Sequence, residues 1–134
     1  MPTKRRWLPV VSALIKRENT YLIGKRPEGK SYAGYWELPG GKIEHSDPSP
    51  EAALKRELEE ELGIQATIGP IQWATTHHYK KELSQVTILL LIYLVQYWEG
   101  APKPLHHTEL KWATPDEMRK LILLEANQEF LKKL

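Results

Sequence analysis

A helix sealed at both ends and carrying two opposed faces constrains this chain more than any other feature. Ser49-Pro50 supplies a capping hydroxyl and a proline suited to the first helical position. Residues 51–62 are rich in Ala, Leu and Glu, all strong helix formers, and Gly63 is placed to end the helix in the left-handed conformation. Ala53, Leu54, Leu58 and Leu62 recur at helical spacing and need a core to bury against. Glu57, Glu60 and Glu61 fall at i, i+3 and i+4, which gathers three carboxylates on one patch, while Glu59 points elsewhere. Like charges at this spacing repel, and they lie toward the C-terminal end of the helix, where its dipole disfavours anions. Either the patch is a solvated acidic face softened by Lys55 and Arg56, or a cation compensates it. An all-oxygen donor set favours Mg²⁺ or Mn²⁺, and Mg²⁺ is usually held by a few carboxylates together with substrate phosphates.

The remaining segments supply the sheet that such a helix packs on. Residues 10–16 and 21–26 flank the turn signal Glu18-Asn19 and read as a hairpin. Residues 27–34 hold two glycines and a proline and read as loop, and residues 35–38 as a short strand stopped by Pro39-Gly40-Gly41. Residues 66–76 and 86–97 read as strands joined by the polar segment 77–85, residues 109–112 as a short strand, and residues 115–121 and 127–134 as helices. The apolar run 88–95 is far short of the roughly twenty residues of a membrane span and reads as a buried strand. A mixed sheet between helices, an α/β/α sandwich, is the natural packing of these elements, in a single domain spanning 1–134.

Composition excludes several classes of function. There is no cysteine, which rules out disulfides and thiolate chemistry and fits a cytoplasmic protein. A net charge of +2 falls short of the basic footprint of a nucleic-acid binder, and Lys4-Arg5-Arg6 reads as a solvated terminus. No signal-peptide pattern precedes the first strand, and no membrane contact is expected.

The segment Arg56-Glu57-Leu58-Glu59-Glu60-Glu61-Leu62-Gly63-Ile64 resembles the second half of the Nudix hydrolase signature, Arg-Glu-apolar-x-Glu-Glu-x-Gly-apolar, at every specified position. The upstream run Gly34-Tyr35-Trp36-Glu37-Leu38-Pro39-Gly40-Gly41-Lys42-Ile43-Glu44 is also similar to the family. The first half of the signature departs from the pattern. Counted back from Arg56, its glycine and glutamate fall on Lys42 and Pro48. One inserted residue within 45–49 restores Gly41 and makes Asp47 the substitute for the glutamate.

The resemblance implies a metal-dependent hydrolase of phosphoanhydrides. Glu57, Glu60 and Glu61 would coordinate the metal with the backbone carbonyl of Gly40, and Arg56 would orient a glutamate of the cluster. The rest of the chain is most similar to the MutT-like branch, which implies a small nucleotide as partner, oxidised dGTP above all, and a monomer or weak homodimer. CTP, a pterin triphosphate, a nucleotide sugar or a dinucleoside polyphosphate are alternative substrates, and a nucleotide-binding module without turnover is an alternative function. Lys25 and Arg26 stand where that branch contacts phosphate, or are solubilising charges at a strand end. Asn127 stands where it reads the purine, although Asn also suits a helix cap. The backbone at Leu38 would lie beside the base, with Leu89 or Leu91 packing on it. A further metal-binding glutamate of the branch is replaced by His106, for which Glu109 could substitute, although His106 and His107 read by default as loop histidines; His77 and His78, beyond a strand end, read as loop residues or as substrate contacts.

Overall fold

The structure, a computed structural model, describes residues 5–81 and 84–134. Lys4 of the basic N-terminal run and residues 82 and 83 of the polar segment lie outside the described residues. The chain runs β1 (Arg6–Arg17), β2 (Thr20–Lys25), β3 (Trp36–Glu37), β4 (Gly40–Lys42), α1 (Pro50–Leu62), β5 (Gln65–Thr67), β6 (Ile71–Lys81), β7 (Ser84–Val95), β8 (Tyr97–Glu99), β9 (Glu109–Ala113), α2 (Pro115–Arg119) and α3 (Glu125–Leu131).

Among the described residues, seven strands form one mixed sheet. Strands β1 and β7 lie parallel at its centre, from Arg6↔Val86 to Ile15↔Val95. The other edge of β1 is shared: Val10–Ser12 pair with β4, and Lys16 and Arg17 with β2. Strand β6 closes one side antiparallel to β7, while β2 carries β9 and β3. This is the mixed sheet between helices that the sequence implies. Alternate residues serve opposite layers. Val11, Ala13, Ile15, Tyr93 and Val95 pack with Ala53, Leu54, Leu58 and Leu62 of α1. Leu14, Leu90 and Ile92 pack on the other face with Met118 of α2 and Phe130 and Leu131 of α3.

Helix α1 forms as its caps dictate. The Ser49 side chain accepts the Ala52 N–H at 3.1 Å, and Gly63, at φ 69°, donates its N–H to the Glu59 carbonyl at 2.9 Å. Four expectations need correction. Residues 66–76 are not one strand: the chain breaks at Gly69-Pro70, where Gly69 N–H reaches Leu94 O at 2.8 Å and an added Cβ would sit 2.6 Å from that oxygen. Residues 86–97 likewise split at Gln96, because β8 leaves the main sheet to pair with β5. His77 and His78 are not in a loop but inside β6, paired with Ile88 and Thr87, since a strand at the sheet edge carries polar side chains without loss. Helix α3 begins at Glu125 rather than Asn127, with Leu124 at its cap and no side-chain cap bond. No helix among the described residues is long and apolar enough to cross a membrane.

Candidate active site

A cleft of about 570 Å³ opens on the face of the sheet that carries α3. It brings together Gly40, Glu57, Glu61, Arg26, Leu38 and Asn127 from elements far apart in sequence. One end is acidic, and Val10, Val86, Ile88, Leu90 and Ala126 make the other apolar. Lys25, Arg56, Glu60 and Glu109 do not line it.

The acidic end is the inner face of α1 pressed against β4. Glu61 is only 8% exposed, and its Oε2 has no hydrogen-bond partner among the described residues. Burial, then the nearby charges of Glu37 and Glu57, push its carboxyl up to about 8, against a hydrogen bond from the Gly40 backbone and the charge of Arg26. Burial also raises Glu57, opposed by Arg56. The glycine pair makes this closeness possible. A Cβ at Gly41 would lie 2.5–2.7 Å from the carboxylate atoms of Glu57, and one at Gly40 would collide with the Val11 carbonyl. Glu60 stands on the rim, its side chain 60% exposed and 3.3 Å from Arg56.

Arg56 sits behind this end as a brace. It donates to Asp47 Oδ1 at 2.9 Å and Oδ2 at 2.8 Å, to Glu57 Oε1 at 3.0 Å and to the Lys42 carbonyl at 3.2 Å. The two-pronged bond from Arg56, with an N–H from Glu44, holds Asp47 down to about 2, and Asp47 in turn raises Arg56. Asp47 therefore ties the loop to the helix.

A buried carboxylate oxygen without a partner is costly unless something positive completes it. Glu61 and Glu57 converge with a backbone segment in a cleft, and every donor is a hard oxygen. The residues present thus fit a divalent cation of the Mg²⁺ or Mn²⁺ kind. Glu57, Glu61 and the Gly40 carbonyl would hold it, with Glu60 within reach of the rim.

On the opposite wall Glu37, to which the sequence assigned no role, meets His107, which reads in the sequence as a loop histidine and lies outside the cleft. Glu37 Oε1 accepts from Arg26 Nη1 at 3.0 Å, and its Oε2 meets His107 Nε2 at 2.9 Å. The only local signal for Glu37 was its place beside Leu38-Pro39-Gly40-Gly41, and His107 had none, being 70 residues away. Asn127 is buried, and its Oδ1 accepts the Leu38 N–H at 3.1 Å. An N–H can only donate, so the amide oxygen faces Leu38 and the carboxamide NH₂ is left for a ligand. The expected leucines are displaced by one position: Ile88 and Leu90 line the cleft, whereas Leu91 packs toward α1. His106 lines the cleft, and burial lowers its pKa. Glu109 is paired across the sheet with Lys25, whose ammonium lies 6.0 Å from the Trp36 ring.

Comparisons with known proteins span nearly the whole chain. The family model described as the NUDIX domain matches residues 6–134. The chain is 37% identical over 125 residues to a CTP pyrophosphohydrolase from Escherichia coli (strain K12), covering 93% of this chain and 89% of that protein. It is 32% identical over 100 residues to an 8-oxo-dGTP diphosphatase from Proteus vulgaris, covering 75% of this chain and 85% of that protein. The crystal structure of a MutT NUDIX hydrolase from Burkholderia pseudomallei matches with a TM-score of 0.83 at 28% identity, over 96% of this chain and 98% of that one.

Proposed function

The chain belongs to the NUDIX family of phosphoanhydride hydrolases, and on that premise we propose that it cleaves nucleoside triphosphates to the monophosphate and pyrophosphate, with oxidised dGTP as the preferred substrate. The observation that carries the cleavage is the buried, partnerless Oε2 of Glu61 beside Glu57 at one end of the cleft that holds Asn127. Water attacks phosphorus, the α–β phosphoanhydride bond breaks, and the proton from water passes to a carboxylate. Glu57 suits that role: it faces the cleft, burial raises its proton affinity, and Arg56 fixes one of its oxygens. A bound divalent cation supplies charge neutralisation of the diphosphate and a more acidic water. Arg26 lines the cleft, as does Lys42, and is available to a phosphate oxygen.

The base would sit against Leu38 and Asn127. The free NH₂ of Asn127 can donate to a purine carbonyl, and the apolar floor takes the ring. Oxidation at the purine five-membered ring turns an acceptor nitrogen into a donor, which a backbone carbonyl can accept. A second reading, CTP as substrate, is favoured by the 37% identity to a CTP pyrophosphohydrolase. Rates of pyrophosphate release from oxidised dGTP, dGTP, CTP, dCTP, dATP and UTP with Mg²⁺ separate the two. Comparable rates across all bases would reject the oxidised-guanine preference. Asn127→Ala is expected to lower kcat/KM for the preferred purine by roughly 10- to 100-fold, the worth of a good base-edge contact, with a smaller loss for a pyrimidine. Equal losses for every base would show that Asn127 only supports the Leu38 backbone.

A further inference from the structure

We infer that His107, which lies outside the cleft, is a positioning residue that aims Arg26 at the substrate phosphates through Glu37. The inference rests on the phosphoanhydride reading above and names the device that orients its phosphate contact. Gly24 and Glu37 are direct partners across β2 and β3, and Arg26 follows two residues after Gly24. The imidazole of His107 fills the space that a side chain at Gly24 would need, since an added Cβ there would collide with the ring. So placed, Nε2 reaches Glu37 Oε2 at 2.9 Å, while the other oxygen of Glu37 holds Arg26 Nη1 at 3.0 Å. Arg26 Nε is bound in turn to the Ser31 carbonyl at 2.7 Å. With Nε and one N–H of Nη1 engaged, Nη2 is the nitrogen without a partner among the described residues and is left for a phosphate oxygen, and Arg26 lines the cleft.

Side-chain exposure grows along the chain of contacts, from 0% at His107 through 15% at Glu37 to 22% at Arg26, so the network runs from core to cleft. His107 leaves its Nδ1 buried and, among the described residues, without a partner. A ring serving only to fill space at Gly24 would do so at lower cost if it were apolar. The polar ring therefore matters for its Nε2, which fixes the second oxygen of Glu37 and stops that carboxylate from rotating away from Arg26. Glu37, His106 and His107 also offer ligand atoms within 4.8 Å of one another. A cation there would displace the His107–Glu37 bond and sit beside the Arg26 guanidinium, which favours the hydrogen-bonded network.

The test measures KM and kcat with a nucleoside triphosphate, and calorimetric binding of inorganic pyrophosphate with Mg²⁺, on the full chain. His107→Leu is expected to raise KM and weaken pyrophosphate binding by roughly tenfold with kcat within about twofold. His107→Gln, which keeps a donor, restores both, and in an Arg26→Ala background His107→Leu has no further effect. If His107→Leu does not fold, Glu37→Gln must give the same KM shift and the same silence in Arg26→Ala. An unchanged KM, a loss that adds to that of Arg26→Ala, or failure of Gln to restore binding overturns the inference. So does stoichiometric Zn²⁺ binding that survives saturating Mg²⁺ and disappears in His107→Gln. Absence of turnover in the wild type would reject the functional reading alone, because the pyrophosphate titration still reads the role of His107.

Discussion

Glu61→Gln is expected to stabilise the metal-free chain at pH 8 and to abolish the stabilisation that Mg²⁺ gives the wild type. The wild-type carboxyl is buried, one oxygen lacks a partner, and its pKa stands near 8 against an ordinary 4.5. Below pH 4.5 both folded and unfolded chains hold the proton, and Glu61 costs the fold nothing. Between 4.5 and 8 the unfolded chain releases the proton while the folded chain keeps it, so stability falls as pH rises through that window. The glutamine variant escapes this loss, a difference on the order of 1–3 kcal/mol, or roughly 4–12 °C in Tm. Mg²⁺ binding to the wild type should displace a proton, seen as a buffer-dependent heat in calorimetry. Equal pH–stability curves for the two proteins would show that the Glu61 carboxyl is not raised, and undiminished Mg²⁺ stabilisation of Glu61→Gln would remove Glu61 from the metal site.

Glu57→Gln should lower kcat by roughly 10²- to 10⁴-fold with little change in Tm, the range expected for loss of a positioned proton acceptor. Glutamine keeps the shape that fits beneath Gly41 and still offers an oxygen to Arg56. What it loses is the charge and the capacity to take a proton. Rates of pyrophosphate release together with a melting curve check this, and near-wild-type turnover would mean that another group takes the proton.

Much of the fold was legible because local chemistry and tertiary need agree in α1. Ser49, Pro50 and Gly63 mark its ends, and Leu54, Leu58 and Leu62 mark its buried stripe. The same agreement made Glu57 and Glu61 visible at the cleft. Legibility failed where sequence carries no local trace of a distant partner. Along β7 nearly every side chain is apolar, because a central strand is buried on both faces, so no alternation told Leu91 from Leu90. The polar residues of β6 looked like a loop because that strand sits at the sheet edge. Helix α3 starts without a side-chain cap, which left Asn127 open to a cap reading beside the purine-reading one, and nothing local pointed to its bond to Leu38, 89 residues away. Glu60 shows the limit of spacing alone: one turn from Glu57 it shares the acidic patch, yet its side chain turns to the rim and Arg56.

Metal-assisted cleavage between the α and β phosphates leaves a signature in the products. The chain is incubated with Mg²⁺ and oxidised dGTP, then with CTP, and monophosphate, diphosphate, pyrophosphate and orthophosphate are quantified. Monophosphate and pyrophosphate are expected in equal amounts, with neither formed when EDTA removes the metal. Nucleotide that binds but stays intact, or release of diphosphate with orthophosphate, would contradict this cleavage.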